Sequence, residues 1–148
     1  MPKKSRKRIV VDMSTTLIHH GHIRILKKAK KFGKVIVGLM VDKAILSYKK
    51  KKPIIKFPNR KKIIESLKIV DFVIPLRALN YSREAIKYKF DYFVHGTDWR
   101  KGPQLSNRNK LIKTMKKWNG KVIEIPYTKG ISSSKIWKYQ IKDKKISN

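Results

Sequence analysis

Residues 8–41 read RIVVDMSTTLIHHGHIRILKKAKKFGKVIVGLMV, and the order of their apolar and polar letters decides the fold. Residues 8–13 are a short β-branched run preceded by charge. Residues 34–41 are an almost continuous apolar run, the kind that a sheet covers on both faces. Between the two, Ile25, Leu26, Ala29 and Phe32 share one helical face, and Gly33 stands where a C-terminal cap is expected. Strand, helix and strand in about 35 residues is the length of a βαβ unit.

The alternation continues through the chain. Asp42 stands where it would cap a short helix through KAILSY, and the lysine run 49–52 reads as a charged loop. Residues 60–68 are amphipathic and helical, DFVIP (71–75) is a strand, SREAIKYK (82–89) a helix and DYFVH (91–95) a strand. LSNRNKLIKTMKKW (105–118) is a helix closed by Asn119 and Gly120, KVIEIP (121–126) is a strand, and a last helix follows GISSS. The pattern predicts an α/β, Rossmann-like three-layer fold with a five-stranded parallel sheet and right-handed crossovers. The expected boundaries are a basic tail over 1–7, one domain over 8–140 and a short tail over 141–148.

Composition narrows the partners. The 148 residues suit one domain with a real core, and 39 Lys plus Arg against 9 Asp plus Glu give a net charge of +30. Anionic partners follow from that field. The absence of cysteine excludes disulfides and thiolate metal sites and fits a reducing compartment. The basic start MPKKSRKR is followed by IVVDMSTTLI, too short and polar for a signal or membrane span, so the expectation is a soluble cytoplasmic protein. The lysines are scattered and form no nucleic-acid motif. They read first as solvated faces and second as nonspecific attraction to nucleic acid.

In an open parallel sheet, ligands bind beyond the carboxyl ends of the strands, where strand order reverses. Three unusual segments fall there: His19-His20-Gly21-His22 after the first strand, Gly96-Thr97-Asp98-Trp99 after the fourth, and Gly130-Ile131-Ser132-Ser133-Ser134 after the fifth. His19 and His22, three apart at a helix start, face the same way, and Gly21 lets a ligand approach the backbone. A helix N-terminus suits phosphate, and neutral imidazoles can donate to oxygens of a five-coordinate phosphorus. A packed histidine turn is the plain alternative. Zinc would need distant ligands, since no carboxylate lies in the cluster. The stretch 129–135, KGISSSK, is an anion cradle or, more simply, an N-cap. Asp98 could accept from a ribose or base, while Trp99 could stack or pack.

Together these segments resemble the His-x-Gly-His nucleotidyltransferases, and among them the cytidylyltransferases acting on glycerol 3-phosphate, phosphoethanolamine and phosphocholine. LIHHGHIRILKKAKKFG is similar to the first-helix signature, FVHGTDW to the Gly-x-Asp-Trp segment, and KGISSSK to the Gly-Ile-Ser-Thr-Thr segment. The resemblance implies a nucleotidylyltransferase-type fold that moves CMP from CTP to a small anionic acceptor. Magnesium would be carried on the CTP phosphates, and the enzyme would be a homodimer. It implies that His19 and His22 stabilise the transition state at the α-phosphorus, with a catalytic lysine at Lys49 or a neighbour. Ser14, Thr15, Gly21, Asp42, Arg60 and Lys68 would serve the nucleotide, Arg60 and Lys68 near its phosphates. Gly96, Asp98 and Trp99 would lie by the nucleoside, Thr128, Gly130, Ile131, Ser132, Ser133 and Ser134 would hold the triphosphate, and Tyr127 would also serve the nucleotide. Lys50 and Arg77 would serve the acceptor, in a pocket built from the loops after strands one and three.

Two departures bear on specificity. Where the family reads Gly-Thr-Phe-Asp this chain has Met13-Ser14-Thr15-Thr16, and Tyr127 replaces an arginine, removing a bidentate phosphate clamp. The wording VDMSTTLIHHGH with PYTKGISSSK is closer to cytidylyltransferase domains found with phosphoenolpyruvate phosphomutase, which act on phosphonates such as 2-hydroxyethylphosphonate. An adenylyltransferase of the same fold and a noncatalytic basic nucleic-acid binder remain as alternatives.

Overall fold

The computed structural model of the chain describes residues 6–15, 17–132 and 135–136. Five strands, β1 (Arg8–Met13), β2 (Lys34–Met40), β3 (Phe72–Leu76), β4 (Tyr92–Gly96) and β5 (Lys121–Ile125), form one all-parallel sheet in the order β3-β2-β1-β4-β5. The order reverses between β1 and β4, so the switch point lies at their carboxyl ends.

Side chains alternate across the sheet and build two cores. Ile9, Val11, Met13, Val35, Val37 and Leu39 point to one face, against Leu26 and Ala29 of α1 (His20–Lys30) and Ile64 of α3 (Phe57–Glu65). Val10, Ile36, Met40 and Phe93 point to the other, against Ala44 and Ile45 of α2 (Asp42–Lys49), Ala85 of α4 (Ser82–Tyr88), and Leu111 and Met115 of α5 (Leu105–Met115). A fully buried aliphatic or aromatic side chain contributes ~1.5–3 kcal/mol, which offsets the self-repulsion of so basic a surface.

The scarce carboxylates serve as ties. Asp71 accepts from the Val35 N–H (2.8 Å) and from Lys30 (2.7 Å), and Asp91 accepts from the Arg8 N–H (2.7 Å), pinning the amino ends of β2 and β1. Glu124 of β5 accepts from Arg100 (2.8 Å) and Arg108 (2.7 Å).

Several details depart from the sequence reading. Phe32 is 47% exposed, because the helix has ended by then and its ring lies against Tyr92 instead of the core. Gly33 is not the cap, since the C-cap of α1 is Lys31. It is glycine because any Cβ there would collide with the Lys7 carbonyl, which accepts from the Lys34 N–H. Asp42 is the first residue of α2 and not its cap, which is Val41, and its carboxylate reaches forward to the Phe57 N–H. α3 starts at Phe57, with Pro58 in its first turn, earlier than the expected residue 60.

Candidate active site

The histidine motif builds its own scaffold. His19 is the N-cap of α1 with an extended backbone, and its Nδ1 accepts from the Gly21 N–H (3.1 Å). His22 returns the bond: its Nδ1 accepts from the His19 N–H (3.1 Å). This is a capping box made of two imidazoles. Glycine at 21 leaves room for the His19 ring, since an added Cβ would lie 2.9 Å from its Cε1.

The box fixes the tautomer. A ring whose Nδ1 accepts from a backbone N–H carries its proton on Nε2. The rings stand 4.0 Å apart and both line one cleft. Burial and the neighbouring His20 lower the His19 pKa, while burial, His19 and Lys49 lower that of His22 to about 4. Both are neutral Nε2–H donors at neutral pH, suited to oxygens that gain negative charge.

The cleft, of about 610 Å³, opens at the carboxyl ends of β1 and β4. Its phosphate-suited part holds Ser14, His19, Gly21, His22, Lys49, Thr128, Lys129, Gly130, Ile131, Ser132 and Lys135. Desolvation lowers the Lys49 pKa. Gly130 has φ of +82°, a left-handed conformation that favours glycine, and the Ser132 hydroxyl accepts from the Lys135 N–H (3.0 Å). Thr128 Oγ1 is buried without a hydrogen-bond partner among the described residues.

The other half is a network that the motifs did not announce. Val11 pairs with Val94 in register, so Asp12 and His95, one step further on, are neighbours. Asp12 Oδ2 accepts from His95 Nε2 (3.1 Å) and from the Tyr81 hydroxyl (3.1 Å). His95 Nδ1 faces the Gly96 carbonyl (2.8 Å), and Asp98 lies 3.7 Å away. With acceptors at both nitrogens, His95 is an imidazolium. Burial alone would lower its pKa, but Asp12, the Gly96 carbonyl and Asp98 outweigh burial and raise it to about 9. Its ring lies on Trp99, centroids 3.6 Å apart and planes within 4°. Tyr127 donates to Asp98 (3.1 Å), and its ring covers Gly96 so closely that any Cβ there would collide with it.

The structure gathers most, not all, of the residues expected from sequence. Ser14, His19, Gly21, His22, Lys49, Gly96, Asp98, Tyr127, Thr128, Gly130, Ile131 and Ser132 line the cleft. Ser133 and Ser134 lie outside the described residues. Seven others do not line it. Arg60, 2% exposed, spends its guanidinium on Asp42 (2.6 Å), the Ser14 carbonyl (2.8 Å) and the Ile55 carbonyl (2.9 Å). Arg60 and Asp42 thus brace the segment that carries Ser14. Trp99 is buried, donates to Glu124 (3.2 Å) and carries His95, so its faces are not open to a base. Thr15 is buried at φ of 27°. Lys50 is the exposed C-cap of α2, and Arg77 is exposed after β3. Lys68 precedes β3 and therefore stands at the opposite edge of the sheet.

Sequence reasoning missed Asp12, Tyr48, Tyr81, His95 and Gln104, which also line the cleft. A signal existed for two of them: Asp12 and His95 are polar residues near the ends of otherwise apolar strands, where a parallel sheet places its site.

A five-stranded parallel sheet with paired neutral imidazoles and an anion cradle at its switch point is a nucleotidylyltransferase-type fold. A solved lipopolysaccharide core biosynthesis protein from Thermoplasma volcanium GSS1 shares it, with a TM-score of 0.68 and 26% identity over 82% of this chain and 98% of that one. The chain belongs to the cytidylyltransferase-like family, whose model matches residues 16–138, and it is a cytidylyltransferase. Glycerol-3-phosphate cytidylyltransferase of Staphylococcus aureus is 30% identical over 131 residues, 88% of this chain and 92% of the relative. Ethanolamine-phosphate cytidylyltransferase of Arabidopsis thaliana is 27% identical over 90% of this chain and 32% of its own length. No helix among the described residues is long and apolar enough to cross a membrane.

Proposed function

We propose that this enzyme transfers CMP from CTP to a small phosphate- or phosphonate-bearing acceptor such as glycerol 3-phosphate, phosphoethanolamine or 2-hydroxyethylphosphonate. An acceptor oxygen attacks the α-phosphorus, the bond to the bridging oxygen of the β-phosphate breaks, and pyrophosphate leaves with the electron pair. The observation that carries this reading is the imidazole capping box, which aims two neutral Nε2–H donors at one cleft. As the α-phosphorus becomes five-coordinate its oxygens gain charge, and donors already fixed by the backbone need no reorganisation to meet it. Lys49, Lys129 and the 130–132 backbone supply charge and N–H groups for the remaining phosphates.

Among the described residues no group of three or more His, Asp or Glu is placed to hold a metal ion. In this reading magnesium comes with the substrate, on the CTP phosphates. The homodimer belongs to the same reading, and light scattering tests it.

The test is pyrophosphate release by the purified chain with CTP or ATP and that acceptor panel. CTP-dependent release, lost in His22→Ala, supports the proposal. Release with ATP alone transfers the base assignment to adenine, and equal inertness of wild type and variant across the panel ends the catalytic reading.

A further inference from the structure

We infer that His95 is a positioning residue of the cleft: it fixes Asp12 so that this carboxylate faces the acceptor. The inference rests on the cytidylyl-transfer reading above. It starts from an electrostatic oddity. In a chain with 39 Lys and Arg, the carboxylates Asp42, Glu65, Asp71 and Glu124 each have a Lys or Arg partner, and Asp91 holds a backbone N–H. The remaining described carboxylates have no Lys or Arg ion pair among the described residues: Glu84 in α4, away from the cleft, and Asp12 and Asp98, the two that line it. Among the described residues the ion-pair partner of Asp12 and Asp98 is His95.

Geometry makes that neighbour a rigid one. His95 is clamped between Asp12 and the Gly96 carbonyl and lies flat on Trp99. Trp99 is held in turn by Glu124, which Arg100 and Arg108 fix. Asp12 and His95 side chains are each 11% exposed, and both bonds to Asp12 arrive at Oδ2. Oδ1 accepts no bond from the described residues, although Asp12 lines the cleft. A carboxylate held by one oxygen offers the other to a hydrogen-bond donor on a ligand.

Position selects which ligand. Asp12 lies one residue before the end of β1, the central strand, and its partner Tyr81 follows β3, at the sheet edge away from β5 and the triphosphate cradle that follows it. A carboxylate there repels phosphate, so it meets the end of the acceptor that does not react. The titratable groups facing His95 are Asp12, Asp98 and, through them, Tyr81 and Tyr127. Burial and Asp12 hold Tyr81, and burial with Asp98 and Asp12 holds Tyr127, above the ordinary phenol pKa, so both remain neutral donors.

The experiment measures KM for CTP and for the best acceptor of the panel in the wild type and in His95→Gln, which keeps a donor but not the charge. We expect acceptor KM to rise roughly tenfold or more while CTP KM stays within about twofold. Adding Asp12→Asn to His95→Gln should add little, because both act through one carboxylate. Unchanged acceptor KM, or an equal rise in both constants, overturns the inference and leaves the function standing. A wild type inert with every acceptor removes both. If His95→Gln fails to fold, the wild-type His95 ring signals in NMR decide. Movement on adding glycerol 3-phosphate or phosphoethanolamine but not CTP supports the inference, and no movement with an acceptor that is turned over overturns it.

Discussion

Two histidine sites stand at the same edge of one sheet, and the protein treats them in opposite ways. In the capping box, backbone N–H groups donate to His19 and His22, so the rings lose protons. At the end of β4, a carboxylate and a carbonyl accept from His95, so the ring keeps both. Burial alone would lower all three pKa values. At His19 and His22 burial prevails, with the neighbouring basic side chains pushing the same way, whereas at His95 the accepting partners reverse the sign. Residue type therefore does not define a site, and the hydrogen-bond partner does.

The largest effect that would sharpen this contrast is on turnover. His19→Ala and His22→Ala should each cut kcat by about a thousandfold, the scale of losing a fixed transition-state donor. Loss of fold should be small, about 1 kcal/mol for a missing cap. His20 is exposed and does not line the cleft, so His20→Ala should fall far short of either. Equal losses at His20 and His22 would break the assignment.

His95 should invert that pattern. His95→Leu leaves Asp12 buried without its cation, and urea unfolding should report a loss of about 3 kcal/mol. A smaller loss than in His22→Ala would contradict the contrast.

Stability against pH should separate the two sites by sign. His22 falls from 6.5 to about 4 on folding, so its contribution is complete above pH 6.5 and erodes as pH drops toward 4. His95 rises from 6.5 to about 9, so its contribution is complete below pH 6.5 and is lost as pH rises through 9, at most about 3 kcal/mol. Melting temperatures across pH should show the alkaline loss reduced in His95→Leu and the acid loss reduced in His22→Ala.

The smallest effect is steric. Gly21→Ala should displace the His19 ring and lower kcat about tenfold through misplacement alone. The His95 network should be untouched.

Legibility in the sequence followed the same division. Short, near-continuous apolar runs placed all five strands within a residue or two, because a parallel sheet covered on both faces imposes such runs on its strands. The histidines, the glycines and Ser132 were legible because helix starts and tight turns need particular residue types. The partners of Arg60 were not legible, because charge alone does not show where a guanidinium points. Only the fold brings the Ser14 carbonyl and Asp42 within its reach. Trp99 was an open choice until β5 supplied Glu124 as partner to its indole. Asp12 and His95 are 83 residues apart, and the β1–β4 pairing that joins them skips over β2 and β3 in sequence, so no local pattern could have joined them.

The most direct test is an imidazole nitrogen NMR spectrum of the full chain at neutral pH. His19 and His22 should each show a bare Nδ1 and a protonated Nε2, beside a His95 protonated at both nitrogens. A proton on Nδ1 of His19 or His22, or a neutral His95, would contradict the account.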